Sequence, residues 1–118
     1  MFRFPRPQKR MGNTKQTAYV EKGVSISPMP VTMYESVTIN YDGPLAQNNS
    51  SIIYAHIGNG QTGCWENTQD IPMNKVSNTW TANIIPTDSR LNFCFHDGTG
   101  NWDNNSGHNW SITIHNGR

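Results

Sequence analysis

The residues best suited to do chemistry in this chain are aromatic and polar side chains set close together. Residues 96–110 read "HDGTGNWDNNSGHNW", with the glycines and asparagines of a stretch that cannot pack, yet they carry two tryptophans. Trp102 sits among Asn101, Asp103, Asn104 and Asn105, with no apolar neighbour at a spacing that would draw it inward. Trp65 is similarly placed, after the flexible "GNGQTGC" and before "ENTQD", on a loop or a strand edge. Taking an indole out of water is strongly favourable. A chain that sets one in a polar segment forgoes that gain, so either a ligand covers the ring or the segment folds back over the core. Ring faces among amides, carboxylates and an imidazole are what a sugar requires. Pyranose C–H groups form a weakly positive apolar face that stacks on an aromatic ring, and the hydroxyls need fixed donors and acceptors.

Other chemistries fit these residues less well. Asp97, Asn101 and Asp103 are oxygen donors in a Gly-rich segment, but an EF-hand loop needs Gly at its sixth position and Glu at its twelfth. Counting from Asp97, those positions hold Trp102 and His108. His56, His96, His108 and His115 show no i,i+4 pair and no CxxC companion, so no metal and no cofactor is expected. His96 and His108 read as loop hydrogen-bonders. Asp97 and Asp103 are also the two carboxylates that glycoside hydrolysis would use. A glycine-rich loop on a small domain lacks the supporting shell to hold the required separation, so no enzyme is expected. Cys64 and Cys94 are too few for a disulfide scaffold; packed free thiols and one bridge are both compatible with the sequence.

The elements that must position these residues are short and alternating. "SVTINY" (36–41), "SIIYAHI" (51–57), "IPMNKV" (71–76), "TWTANII" (79–85), "RLNFCF" (90–95) and "WSITIH" (110–115) each have strand period and β-propensity. Successive side chains in a strand point to opposite faces. One set therefore turns inward: Val37, Ile39 and Tyr41; Ile53, Ala55 and Ile57; Trp80, Ala82 and Ile84; Leu91, Phe93 and Phe95; Trp110, Ile112 and Ile114. The same rule sends Ile52, Tyr54 and His56 outward, which predicts an outer patch of Tyr, His and two tryptophans. Gly/Asn-rich connectors lie between the segments, and no stretch offers ten residues of helical period. A further strand from "AYVEKGVSI" or "VTMYES" brings the total to about seven, the number in an all-β, immunoglobulin-like antiparallel β-sandwich.

Composition sets the outer limits. At 118 residues the chain holds one core. Charged residues make up 14% and apolar residues 34%, and the mean hydropathy is -0.69. The polarity therefore comes from Asn, Ser, Thr and Gly, a surface of hydrogen bonds more than of fields. The net charge of +1 hides a basic residue 1–22 arm, expected to be disordered, before a mildly acidic 23–118 module. An acidic body argues against nucleic acid as its ligand. No apolar run approaches a membrane span, and the N-terminus lacks the apolar core of a secretion signal, so the chain as written reads as soluble and unexported.

Over residues 36–115 the sequence resembles the starch-binding carbohydrate-binding modules of family 25 and the related family 53. The resemblance rests on "VTINY", on "IIYAHIG" followed by "CWEN" and "IPM", on "NTWTANI", and above all on "LNFCFHDGTGNWDNNSGHNWSI". It implies an immunoglobulin-like β-sandwich that binds α-1,4-glucans such as starch, glycogen or maltooligosaccharides without catalysis. The family grips sugar with two tryptophans and a histidine, which by motif position fall on Trp65, Trp102 and His56. Asn101, Asp103 and Asn104 match its polar positions and are implied to position hydroxyls. The basic arm and the cysteines lie outside the family pattern, and no catalytic domain accompanies the motif. The competing reading is an immunoglobulin-like module whose exposed tryptophans contact another protein. A maltooligosaccharide titration separates the two, and no particular protein partner is indicated.

Overall fold

Strict alternation makes strands of the apolar segments in the computed structural model, which describes residues 16–117. In chain order the elements are β1 (Gln16–Glu21), β2 (Val24–Met29), β3 (Val37–Tyr41), α1 (Pro44–Gln47), β4 (Tyr54–Gln61), β5 (Cys64–Pro72), β6 (Asn74–Val76), β7 (Thr79–Ile84), β8 (Arg90–His96), β9 (Trp102–Asp103) and β10 (Trp110–Thr113). They form two antiparallel sheets, β1-β2-β3-β7-β6 and β10-β8-β4-β5, with β9 added to β8. The β-sandwich architecture read from the sequence is the one observed.

Every residue assigned to the inward set is buried. The strand register aligns them: Val37, Ile39 and Tyr41 oppose Ile84, Ala82 and Trp80. Each such large apolar side chain contributes roughly 2 kcal/mol by leaving water. Aromatic rings pack the interior: Tyr41 stacks on Phe95 of the other sheet at 4.1 Å between centroids, and Trp110, from Phe95's own sheet, meets it edge-on at 5.2 Å. Polar ends inside the core are satisfied. The Trp110 indole N–H donates to the Glu21 carbonyl, and the Tyr41 hydroxyl donates to Asp103 at 2.6 Å while accepting from the Leu45 N–H. Burial holds the Tyr41 phenol protonated well above its ordinary range.

Four segments differ from expectation or settle what it left open. Six residues of the expected arm, Gln16–Glu21, pair with β2 through a turn at Lys22 and Gly23, both of which have positive φ. That is the backbone of a two-residue hairpin of the primed type, for which Gly at the second position is well suited. The remainder of that arm, residues 1–15, lies outside the described residues. "IPMNKV" is not one strand. Met73 buries its side chain and its N–H bonds to the Ile53 carbonyl, so the chain changes sheets there. "VTMYES" stays irregular apart from a bridge between Thr32 and His115. The connector "GPLAQ" winds into α1, whose Leu45 is buried in the core. Among the described residues no helix is long and apolar enough to cross a membrane.

Candidate functional site

The outer face of the β8-β4-β5 sheet carries the site, and β4 is its centre. Alternation turns Tyr54, His56, Gly58 and Gly60 outward along β4, opposite the buried Ala55 and Ile57. In β5, Asp70 lies directly across from His56. A regular strand would then send the odd-numbered Trp65 to the opposite face from Asp70. The ladder slips instead: Ile57 pairs with Gln69, but Asn59 pairs with Glu66, so β5 holds one extra residue. Asn67, in the left-handed region at φ 55, absorbs it. This β-bulge re-phases the strand and sets Trp65 opposite Gly60, on the face of His56. Gly58 then supplies the seat, because a Cβ there would lie 2.9 Å from the Trp65 Cβ and 3.0 Å from its ring. The Trp65 indole Nε1–H donates to the Thr62 carbonyl at 2.7 Å, which anchors the ring.

Trp102 reaches the same face from the other side. β9 pairs with β8, matching His96 with Trp102 and Phe95 with Asp103. Alternation splits the two β9 residues, so Asp103 points in toward Tyr41 while Trp102 stands outward, 51% exposed. The preceding turn is held by one carboxylate. Asp97 Oδ2 accepts from Asn101 Nδ2, and its Oδ1 accepts from the Thr99 N–H and hydroxyl and from the Asn101 N–H. The Asn101 side-chain bond leads the effects that hold the Asp97 carboxyl far below the usual carboxylate range.

His56 joins the two indoles. It stacks on Trp65 at 5.8 Å between centroids and 26° between planes, and meets Trp102 edge-on at 5.3 Å and 87°. The two indoles are therefore steeply inclined to one another, forming a bent platform. Beneath Trp102 lies His96, only 13% exposed in its side chain, 4.3 Å from the Trp102 ring and stacked on Tyr54 at 4.9 Å. A single oxygen, Asp70 Oδ1, lies 2.8 Å from both His56 Nδ1 and His96 Nε2. These bonds, the one from His96 foremost, lower the Asp70 pKa.

Two imidazoles and a carboxylate converging within 4.8 Å are also a donor set for a transition ion. The second nitrogen of His96 opposes that use. His96 Nδ1 accepts the Gly98 N–H at 3.1 Å, which places the ring proton on Nε2, the atom that would have to face the metal.

The structure thus brings together His56, Trp65 and Trp102, with Asn101 beside Trp102 in a polar groove that also includes Asn48, Ser50 and Asp97. Asp103 turns inward from Trp102, and Asn104 is tied into the following turn. Asp103 is engaged by Tyr41 and the Asn105 N–H, and Asn104 Oδ1 accepts from the Gly107 N–H, so both hold the loop together. Asp70 and the placement of His96 escape sequence reasoning, because only the pairing of β5 with β4 and of β4 with β8 makes them neighbours. Cys94 is buried and Cys64 exposed, both as free thiols, and burial raises the Cys94 pKa to about 11.

Comparison with known proteins bears on the family and the fold. Residues 37–93 match the model of a starch/carbohydrate-binding module (family 53). Over 79 residues, 64% of this chain, the sequence is 48% identical to an alpha-amylase of Clostridium acetobutylicum. The match covers 10% of that enzyme, so the chain spans about a tenth of its relative's length. A solved structure described as iodinated CBM25 from the Bacillus halodurans amylase superposes with a TM-score of 0.51 at 23% identity, covering 66% of this chain and 80% of the other. At that identity the likeness speaks for the shared fold. These matches do not favour a protein-interaction module.

Proposed function

We propose that this chain, which carries a carbohydrate-binding module of the starch-binding kind, holds α-1,4-glucans on its aromatic face without cleaving them. The observation that carries this reading is the inclined arrangement of Trp65 and Trp102 about His56. A β-1,4-glucan is a flat ribbon and is matched by coplanar rings. An α-1,4-glucan curves, so successive pyranose faces tilt, and rings set at a steep angle meet two of them at once. His56 offers a nitrogen to a hydroxyl between the two stacking surfaces, and Asn101 supplies an amide at the Trp102 end. Asp97, the carboxylate that holds the Trp102 turn, already accepts bonds on both oxygens, which leaves it poorly suited to act as an acid or nucleophile.

Retention on insoluble starch, with cellulose as control, tests the substrate class. The expected result is capture by starch alone, together with quenching of tryptophan fluorescence by soluble maltooligosaccharides. Capture by cellulose and not by starch would redirect the assignment to a β-glucan.

A further inference from the structure

A neutral imidazole has one donor and one acceptor nitrogen, and which is which decides the hydroxyl it can meet. We infer that Asp70 is a positioning residue that fixes the tautomer of His56, so that the platform presents Nε2 to the sugar as a hydrogen-bond acceptor. This rests on the α-glucan reading of the face and adds the polarity of its central contact.

The argument runs along a chain of bonds from the backbone outward. The Gly98 N–H donates to His96 Nδ1, so a neutral His96 carries its proton on Nε2 and must donate to Asp70 Oδ1. His96 is held between Tyr54 and Trp102, which leaves its ring little freedom to turn. That donor orients the carboxylate, whose same oxygen stands 2.8 Å from His56 Nδ1. A carboxylate only accepts, so the His56 proton resides on Nδ1 and Nε2 keeps its lone pair. The acceptor at the centre of the platform is therefore set by residues that need not touch the ligand. It selects a sugar hydroxyl free to donate, and it resists the exchange of tautomers that an isolated imidazole undergoes.

The titratable neighbours of His56 are Asp70 on β5 and His96 on β8, with Cys94 opposite it in the ladder and buried. The experiment uses nitrogen-labelled histidine in the full chain, in buffer alkaline enough to keep both imidazoles neutral, with maltoheptaose as ligand. In the wild type the nitrogen spectrum is expected to show His56 protonated on Nδ1. Asp70→Ala removes the acceptor, so the proton moves to Nε2 and maltoheptaose affinity falls about tenfold. Asp70→Asn keeps an oxygen acceptor, and because His96 can only donate, that oxygen must face both rings. It is expected to retain the wild-type tautomer and to bind within about twofold of wild type.

An unchanged His56 tautomer in Asp70→Ala overturns the inference, as does an equal loss of affinity in Asp70→Ala and Asp70→Asn. If the wild type does not bind maltoheptaose, the α-glucan reading fails by itself, and the nitrogen spectra of the free variants still decide the role of Asp70. The Asp70 side chain is half exposed, and near-ultraviolet circular dichroism verifies that each variant folds.

Discussion

Trp102 spends about half its surface on water, and that exposure separates its role from that of Trp110. Replacing it by alanine is expected to cost about 1 kcal/mol or less in urea denaturation, because the half-exposed ring loses only its contacts with His96 and His56 and the β9 pairing is disturbed. The same change is expected to weaken maltooligosaccharide binding by at least about 2 kcal/mol in calorimetric titration. A stability loss that exceeds the binding loss would make the ring a core residue. Asp97 gives a pH test at the same scale. Its folded pKa lies below its unfolded value, so its contribution is fully present above the unfolded pKa, about 4, and is lost as pH falls toward the folded value. The melting temperature of the wild type is therefore expected to drop more steeply below about pH 4 than that of Asp97→Ala. The variant should also bind sugar more weakly at neutral pH, since the turn that delivers Trp102 loses its anchor.

The strand pair β4-β5 turns these single residues into a surface. Its bulge at Asn67 exchanges the two faces of β5 partway along, which is why both Asp70 and Trp65 stand beside His56. Asn67→Gly keeps the left-handed backbone accessible and should leave starch binding intact. Asn67→Val should cost about 1–2 kcal/mol or drive the strand back into phase, with loss of the Trp65 contact. Gly58→Ala tests the seat from the opposite strand. Its Cβ would meet the Trp65 Cβ at 2.9 Å and the Thr68 methyl at 3.1 Å. The Trp65 Cβ cannot swing aside, so the expected result is a folded protein with a lowered melting temperature, altered tryptophan fluorescence and about tenfold weaker binding. Neither residue signals its role in the sequence. "ENTQD" reads as a polar connector, and a bulge is decided by how two strands register, which one strand's pattern does not reveal.

Across the whole molecule, the proposed binding face and the core are separable. Ile39 lies in the sheet that does not carry the platform and is fully buried. Ile39→Val is expected to lower unfolding free energy by about 1 kcal/mol and to leave the affinity of the folded protein unchanged. Alternation alone identifies the inward residues of β3, β4, β7, β8 and β10, because a period of two is a local property and burial follows it wherever one face is covered. Alternation also turns His56 outward, and the polar segments around Trp65 and Trp102 mark those two rings as having no inward place. Tertiary structure decides the rest. It pairs Gln16–Glu21 with β2, breaks the strand at Met73, and turns Asp103 toward Tyr41 and away from the platform. It also gathers His56, Asp70 and His96 from three strands around one oxygen. The division has one physical cause. The direction of a side chain follows from its neighbours along the chain, whereas a hydrogen bond between strands depends on a register that forms only when the sheets assemble.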